Sequence, residues 1–346
     1  IPGSLVGSEM CIRDSITHRP GRPERKRLPP WFKTQLPTGE AMKIFEETRT
    51  RVESNQLNTV CEEARCPNIH DCWSRGTATF MIAGHACTRG CRFCAVDTMK
   101  TPAQLDPNEP SNLAEAITRM GLSHAVITVV NRDDLPDGGA QHYRNCIMEV
   151  HKRSPEVGLE LLCSDLDGNL EALAALLYEL PLNVFAHNVE CVPRLDPIVR
   201  DPRASFTQSL RILSEASYLR PDLKIKSSLM VGLGETDLEV VDAMRLLKDA
   251  GVQMITIGQY LRPSDRHLPV DRFPEPSSFM MWDEQARKIG FEAVACGPLV
   301  RSSYRAGLLF DESEGAEPVV TRDSTGSAIS SLQIHRPTMN KEGLAT

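Results

Sequence analysis

Short apolar runs alternate with longer amphipathic segments from about residue 77 to residue 295. The apolar runs have the length and the β-branched content of buried strands. They predict strands at 77–83, 124–130, 158–163, 183–189, 224–231, 252–258 and 291–295. The amphipathic segments predict surface helices near 111–121, 140–153, 168–180, 205–219, 235–250 and 277–289. Ser111 and Asp237 are predicted as helix caps.

Strands that alternate with helices predict βαβ units and a parallel α/β sheet. Six or seven such units in succession indicate a complete or partial (β/α) barrel, in which functional groups lie on the loops after the strands. Residues 77–307 are predicted to form this barrel and its closing segment, preceded by an N-terminal extension at 16–76 and followed by a polar tail at 308–346. Residues 1–15 have no initiator Met and no secretory pattern, and are expected to be a non-native leader. The basic segment 18–33 is either a solvated arm or a docking strip for an acidic partner.

Composition narrows the possible functions. The net charge of −7 and the pI near 5.8 argue against a nucleic-acid binder. No apolar run approaches the ~18 residues that a membrane helix needs. The chain has 11 Cys, and six of them form two trios with different spacing. The first trio, C-x4-C-x5-C, and the second, C-x3-C-x2-C, consist of Cys61, Cys66 and Cys72, and of Cys87, Cys91 and Cys94.

The chemistry of the two trios follows from their ligand count. Structural zinc commonly takes four ligands in C-x2-C pairs, which neither trio supplies. A disulfide framework does not fit a long chain without a secretory signal. Clustered thiolates suit iron–sulfur clusters, which are normally held by four cysteines, so one iron of each cluster is left open or is held by another group. A closed electron carrier and a zinc-binding interaction module remain alternatives that this incomplete ligand count disfavours.

Longer motifs around the trios resemble the lipoyl synthases, a family of the radical S-adenosylmethionine (SAM) superfamily. The resemblance runs from about Leu28 to Gly307. Its motifs are CEEARCPNIHDCW at 61–73, HACTRGCRFCAV at 85–96, VNRDDLPDGGA at 130–140, AHNVECVPRL at 186–195, MVGLGET at 230–236, IGQYLRPSDRHLPV at 257–270 and GPLVRSSYRAG at 297–307. The resemblance implies a partial (β/α)6-type TIM barrel of the radical SAM class, with an N-terminal extension that carries an auxiliary cluster.

The resemblance also implies a ligand set. The second trio would hold a [4Fe–4S] cluster whose open iron binds SAM, and Phe93 lies where the superfamily usually has an aromatic. The first trio would hold three irons of an auxiliary [4Fe–4S] cluster, and a serine of the RSSY motif would hold the fourth. We expect this serine to be Ser303 rather than Ser302. An alkoxide is a harder donor than a thiolate, which suits an iron that must be released.

Several polar residues are predicted at the same rim of the barrel. The resemblance makes Asn131, Arg132 and Asp133 candidates for contact with the methionyl end of SAM. Asp165, His187 and Asn188 follow the third and fourth strands, and the histidine is expected to be structural. Arg301 and Arg305 flank the serine and are expected either to engage a carboxylate or peptide carbonyls or to pair with nearby acidic residues. Cys146, Cys163, Cys191 and Cys296 have no ligand spacing and are predicted to be small buried hydrophobes.

The implied reaction is insertion of sulfur at C6 and then C8 of an octanoyl chain linked to a lysine, with two SAM molecules consumed. Implied partners are octanoylated lipoyl carrier domains (2-oxoacid dehydrogenase E2 subunits and the glycine cleavage H protein), an electron donor such as ferredoxin or flavodoxin, and iron–sulfur assembly or carrier proteins. The expected location is cytoplasmic. Another radical SAM sulfur-inserting enzyme, such as a methylthiotransferase, is the alternative. The segment LLCSDLDGN, Cys191 and Ser228 depart from the family pattern and weaken any assignment of SAM or substrate contacts to Asp165 or Ser228.

Overall fold

The computed structural model of the protein describes residues 28–32, 38–54, 66, 68–75 and 77–316. The predicted leader, most of the basic segment, most of the polar tail and Cys61 lie outside these residues.

Seven parallel strands form the main sheet, and their order in space is their order along the chain. These strands are β1 (Thr77–Ile82), β4 (His124–Val129), β5 (Gly158–Leu162), β6 (Val184–Ala186), β7 (Lys224–Val231), β8 (Met254–Gln259) and β9 (Ala293–Gly297). Two short strands, β2 (Ala86–Cys87) and β3 (Asp97–Thr98), pair with each other in the loop after β1.

Helices lie between the strands and before and after the sheet. They are α1 (Glu40–Ser54), α2 (Ile69–Trp73), α3 (Glu109–Met120), α4 (Ala140–Arg153), α5 (Leu170–Leu177), α6 (Asp196–Val199), α7 (Phe206–Leu219), α8 (Asp237–Asp249), α9 (Pro276–Ile289) and α10 (Ala306–Ser313). Single turns of 3₁₀ helix occur at Pro30–Phe32, Leu166–Gly168 and Pro193–Leu195.

The sequential strand order identifies the architecture. Crossovers between parallel strands are right-handed, so strands that never reverse their order place all their helices on one face of the sheet. The sheet then curves into a barrel, which in the described residues stays open between β1 and β9. The predicted α/β partial barrel is confirmed, with seven strands in the sheet and every predicted boundary within three residues.

Both predicted helix caps are wrong. The cap of α3 is Asn108, and Ser111 lies inside that helix. The cap of α8 is Thr236, whose side chain accepts from the Glu239 N–H while the Glu239 carboxylate accepts from the Thr236 N–H. Asp237 is therefore the first helical residue. Its negative charge interacts favourably with the helix dipole, but its side chain does not cap the helix.

The two faces of the sheet differ in chemistry, because successive side chains on a strand point to opposite sides. The helix-covered face carries large buried apolar side chains. The inner face carries an ion pair between Lys226 of β7 and Glu160 of β5, with Nζ–Oε distances of 2.8 and 2.9 Å and both side chains 1% exposed. It also carries a hydrogen bond of 2.8 Å from Thr256 to Ser228. The inner face is thus polar, and side chains two strands apart meet across it.

The chain after β9 crosses the inner face of the sheet. A Cβ atom on Gly258 of β8 would lie 2.0 Å from the carbonyl oxygen of Val300. A Cβ atom on Gly307 would lie 3.1 Å from His124, at the start of β4. These close approaches show that residues 298–307, the closing segment, run from the carboxyl end of β8 toward the amino end of β4. Within the part of the chain that the structure describes, no helix is long and apolar enough to span a membrane.

Candidate active site

Cys87, Cys91 and Cys94 lie on the loop that follows β1, at the carboxyl edge of the sheet. All three thiols are free and half-buried. Backbone N–H groups approach two of the sulfurs: that of Arg89 lies 3.4 Å from Cys87 Sγ, and that of Asp201 lies 3.3 Å from Cys91 Sγ. Burial raises the pKa of Cys91 to about 11 and raises the pKa of Cys94 as well. Iron that binds here must therefore displace thiol protons, as metal binding to cysteine generally does.

Arg89, inside the C-x3-C segment, holds this loop to the strand ends. Its guanidinium is 2% exposed and contacts Asp165 Oδ2 at 2.6 Å. Two further hydrogen bonds of 3.0 and 2.9 Å go to the carboxylate of Asp133. That carboxylate also accepts from Thr88 Oγ1 at 2.8 Å. The network fixes the backbone between two of the cysteines and was not predicted, because its members lie far apart in the sequence.

The loop is also held at its far side and at its middle. His267 Nε2 lies 2.9 Å from the carbonyl oxygen of Cys94. The N–H of Gly90 donates to Asp201 Oδ2 at 2.9 Å. No feature of the sequence indicated either contact, since both depend on how the later loops fold over the first.

The loop begins at Ala83, which adopts the left-handed conformation with φ of 69°. Its N–H donates to Glu109 Oε2 at 2.8 Å, and its carbonyl accepts from Arg132 Nη1 at 3.2 Å. His142 Nε2 lies 2.5 Å from the same Glu109 oxygen. Side chains from three elements thus keep an unfavourable backbone conformation in place where the strand turns into the cysteine loop.

The three residues predicted to contact SAM lie at this rim. Asn131 is half-buried, and its side-chain amide lies 3.4 Å from Asp165 Oδ1. Arg132 is 2% exposed and pairs with Asp134 at 2.8 Å, while Asp133 is engaged by Arg89. Arg132 and Asp133 therefore already have protein partners that shape the loop, and direct contact with SAM stays a prediction for all three.

A second group of predicted ligand residues lies about a cavity beside β1. Cys66, Cys72 and Ser303 line the same cavity. The remaining lining residues are Asn68, Ile69, Thr77, Thr79, Arg301 and Tyr304. Cys66 is half-buried and Cys72 is 8% exposed. Two thiols and a hydroxyl about one small cavity form a donor set that fits an iron–sulfur cluster, with Ser303 rather than Ser302 facing it.

Two hydrogen bonds join the segment around Cys66 and Cys72 to the closing segment. Asn68 Nδ2 donates to the carbonyl oxygen of Leu299 at 2.6 Å. Arg305 Nε donates to Asp71 Oδ2 at 2.7 Å. These two contacts, which we call the long-range hydrogen bonds, bring Ser303 close to Cys66 and Cys72. Burial raises the pKa of the Cys66 thiol, although the Asn68 N–H and the charge of Arg301 act in the opposite direction.

Comparison with known proteins agrees with this geometry. Residues 13–66 match the model of the N-terminal domain of lipoyl synthase, and residues 81–247 match that of the radical SAM superfamily. The chain is 48% identical to lipoyl synthase of Halorhodospira halophila, covering 93% of this chain and 96% of that one. It is 50% identical to the mitochondrial lipoyl synthase of Branchiostoma floridae, covering 89% and 84%. The chain belongs to the lipoyl synthase family.

The lipoyl synthase fold is shared with a more distant protein. The FeFe-hydrogenase maturase HydG from Carboxydothermus hydrogenoformans superposes with a TM-score of 0.51 at 13% identity, covering 81% of this chain and 76% of that one. This likeness supports the partial barrel alone. As a member of the lipoyl synthase family, the protein is a radical SAM enzyme that uses SAM and iron–sulfur clusters.

Other sequence predictions about this lipoyl synthase family member are confirmed. His187 is structural: it is 5% exposed, with Nδ1 2.8 Å from the Cys163 carbonyl oxygen and Nε2 2.8 Å from Ser209 Oγ. Burial lowers the pKa of His187 to about 4. Arg301 donates to a peptide carbonyl and Arg305 to a carboxylate, as expected. The four cysteines without ligand spacing are all buried, namely Cys146, Cys163, Cys191 and Cys296.

Proposed function

We propose that this protein inserts sulfur at C6 and C8 of an octanoyl chain linked to a lysine of a lipoyl carrier domain. Cys87, Cys91 and Cys94 would hold the SAM-binding cluster. The first trio and Ser303 would hold the auxiliary cluster that donates sulfur. The observation that carries the proposal is the meeting of Cys66, Cys72 and Ser303 about one cavity beside the barrel.

When bound, the cluster of the second trio would supply the electron that cleaves SAM, and the auxiliary cluster would supply sulfur for the new C–S bonds. This chain's own residues then have three tasks. Arg89 and Glu109 hold the cysteine loop in one conformation. The loops at the carboxyl edge of the sheet would keep a radical from water. The closing segment would bring Ser303 to Cys66 and Cys72.

Asn131 is our candidate for direct contact with SAM, because its only side-chain hydrogen bond to the described residues is the long one to Asp165. For Arg132 and Asp133 we propose a SAM contact that accompanies their roles in the loop. We also propose the division of the chain given by the sequence, with an extension at 16–76 and a barrel at 77–307.

The proposed partners follow from the family. They are octanoylated carrier domains of 2-oxoacid dehydrogenase E2 subunits and of the glycine cleavage H protein, a ferredoxin or flavodoxin, and iron–sulfur assembly proteins. A cytoplasmic location is proposed as well, with the qualification that the relative from Branchiostoma floridae is named as mitochondrial while the one from Halorhodospira halophila is not.

The test uses the protein reconstituted anaerobically with iron and sulfide, then incubated with SAM, a reductant and an octanoyl-lysine peptide. We expect 5′-deoxyadenosine together with a peptide that has gained two sulfur atoms. Absence of deoxyadenosine contradicts the radical SAM assignment, and deoxyadenosine without sulfur on the peptide contradicts lipoyl synthase chemistry.

Two matched variants test the serine ligand. Ser303→Ala should lose sulfur insertion while SAM cleavage continues, and Ser302→Ala should retain both activities. The opposite result would move the ligand role to Ser302.

A further inference from the structure

Arg301 differs from the other arginine of the closing segment in its partners. Its side chain is half-buried and lines the cavity with Cys66, Cys72 and Ser303. One nitrogen, Nη1, donates to the carbonyl oxygen of Gln259 at 3.0 Å. Among the residues that the structure describes, Arg301 forms no ion pair with a carboxylate, whereas Arg305 pairs with Asp71 at 2.7 Å.

A guanidinium beside a cavity that becomes filled requires a negative partner. Arginine stays protonated and offers five N–H donors, of which the contact with Gln259 uses one. Removing a charge from water without a counter-charge is strongly unfavourable. Once the cavity is filled, water is displaced from Arg301, so the occupant itself must carry the compensating negative charge.

An iron–sulfur cluster held by thiolates and an alkoxide meets this requirement. Its four anionic ligands outweigh the positive charge of the [4Fe–4S] core, and reduction makes the assembly more negative. Arg301 lines the same cavity as Cys66, Cys72 and Ser303, so its cation lies beside the space that the cluster would fill.

We propose that Arg301 is a positioning residue that balances the charge of the auxiliary cluster, retaining the cluster in its cavity and raising its reduction potential. This inference rests on the proposed function, because it takes Cys66, Cys72 and Ser303 to be the ligands. Arg301 acts through the cluster and has no part in binding the acyl chain.

The experiment separates the charge of Arg301 from its hydrogen bond. Arg301→Gln removes the charge but keeps an amide that can donate to the Gln259 carbonyl. Arg301→Lys keeps the charge but loses the planar fork of guanidinium N–H donors. Arg245→Gln is the matched control, because it removes one positive charge from an exposed i,i+3 pair with Asp242 on α8. Each change is made in a full-length chain with Cys87, Cys91 and Cys94 changed to Ala, so that the auxiliary cluster alone is observed.

Two quantities are measured in each variant: iron per chain, and the midpoint potential from a redox titration followed by electron paramagnetic resonance. We expect Arg301→Gln to lower the potential by at least a tenfold change in the reduction equilibrium, which is about 59 mV for one electron. Arg301→Lys should keep most of the wild-type potential, and Arg245→Gln should not change it. Loss of iron in Arg301→Gln with retention in Arg301→Lys also supports the proposal.

Two results overturn the proposal. One is an unchanged potential in Arg301→Gln, and the other is an equal loss of iron in the Gln and Lys variants, since the fork rather than the charge would then matter. Adding Cys66→Ala and Cys72→Ala to the same chain separates this failure from that of the proposed function. If the cluster persists without these two thiols, the ligand assignment fails and the inference fails with it.

Discussion

Arg89→Met tests whether a buried ion-pair network holds the cysteine loop that follows β1. Arg89 is 2% exposed and its main partner, Asp165, is 1% exposed. Methionine keeps a similar volume but removes the charge. The carboxylate of Asp165 then remains buried among neutral donors, which include the side-chain amides of Gln208, at 2.8 Å, and Asn131, at 3.4 Å.

The magnitude follows from this uncompensated charge. Removing one partner of a buried pair costs about 3–5 kcal/mol of unfolding free energy. Asp133 contributes less to the loss, because it is 13% exposed and keeps its contact with Arg203 at 3.2 Å. An unfolding equilibrium constant larger by about two to three and a half powers of ten is therefore expected.

Urea unfolding of the apo-protein under anaerobic, reducing conditions measures this loss. Arg194→Met is the control, since its ion pair with Glu239 is 55% and 27% exposed and solvent screens it, so the free energy of unfolding should change little. Adding Asp165→Asn to Arg89→Met removes the stranded charge and should recover at least half of the loss. A loss below about 1 kcal/mol for Arg89→Met, or no recovery in the double variant, would refute the reasoning from an uncompensated buried charge.

Three further predictions concern the closing segment, the inner face and pH. Gly258→Ala should displace the closing segment, because its Cβ would lie 2.0 Å from the Val300 carbonyl oxygen. Iron analysis should then show the loss of one cluster, while deoxyadenosine still forms. Full iron content in this variant would contradict the prediction. Lys226→Met should lower the unfolding free energy by about 3–5 kcal/mol, and adding Glu160→Leu should restore most of it in urea titrations; equal stability of the single variant and wild type would be inconsistent. Burial lowers the pKa of His187 from its usual 6.5 to about 4, so the unfolded chain binds more protons in this window. The contribution of His187 to stability therefore falls by about 1.4 kcal/mol per pH unit as pH drops from 6.5 toward 4. His187→Gln should flatten that slope, and parallel curves would argue against it.

The fold was largely predictable because it depends on local periodicity. Apolar runs predicted all seven strands, and amphipathic segments predicted the six long helices between them. The alternation of the two predicted the parallel sheet. The helix caps could not be predicted in this way, because an N-cap is defined by its backbone conformation. Thr236 has the extended conformation, with φ of −91° and ψ of 159°, while the acidic residue after it is already helical. Acidity in the first turn does not distinguish these two positions.

The site was predictable only as far as ligand spacing allowed. Both cysteine trios, the serine segment and the structural histidine were indicated by the sequence. The residues that fix them were not: Arg89 and Asp165 lie 76 positions apart, and Gly90 and Asp201 lie 111 apart. Such pairs meet only because consecutive strands end at one edge of a sheet, and nothing in the spacing of charges selects them in advance.

The long-range hydrogen bonds have a consequence for biosynthesis. Asn68 and Leu299 are 231 positions apart, and Asp71 and Arg305 are 234 apart. At the usual speed of translation, about 5–20 residues per second, the cysteine half of the auxiliary site leaves the ribosome about 10–50 s before the serine half is made. With the proposed ligand set, iron can be inserted with all ligands present only after the closing segment is made, and a chain that stops before Leu299 lacks the proposed serine ligand.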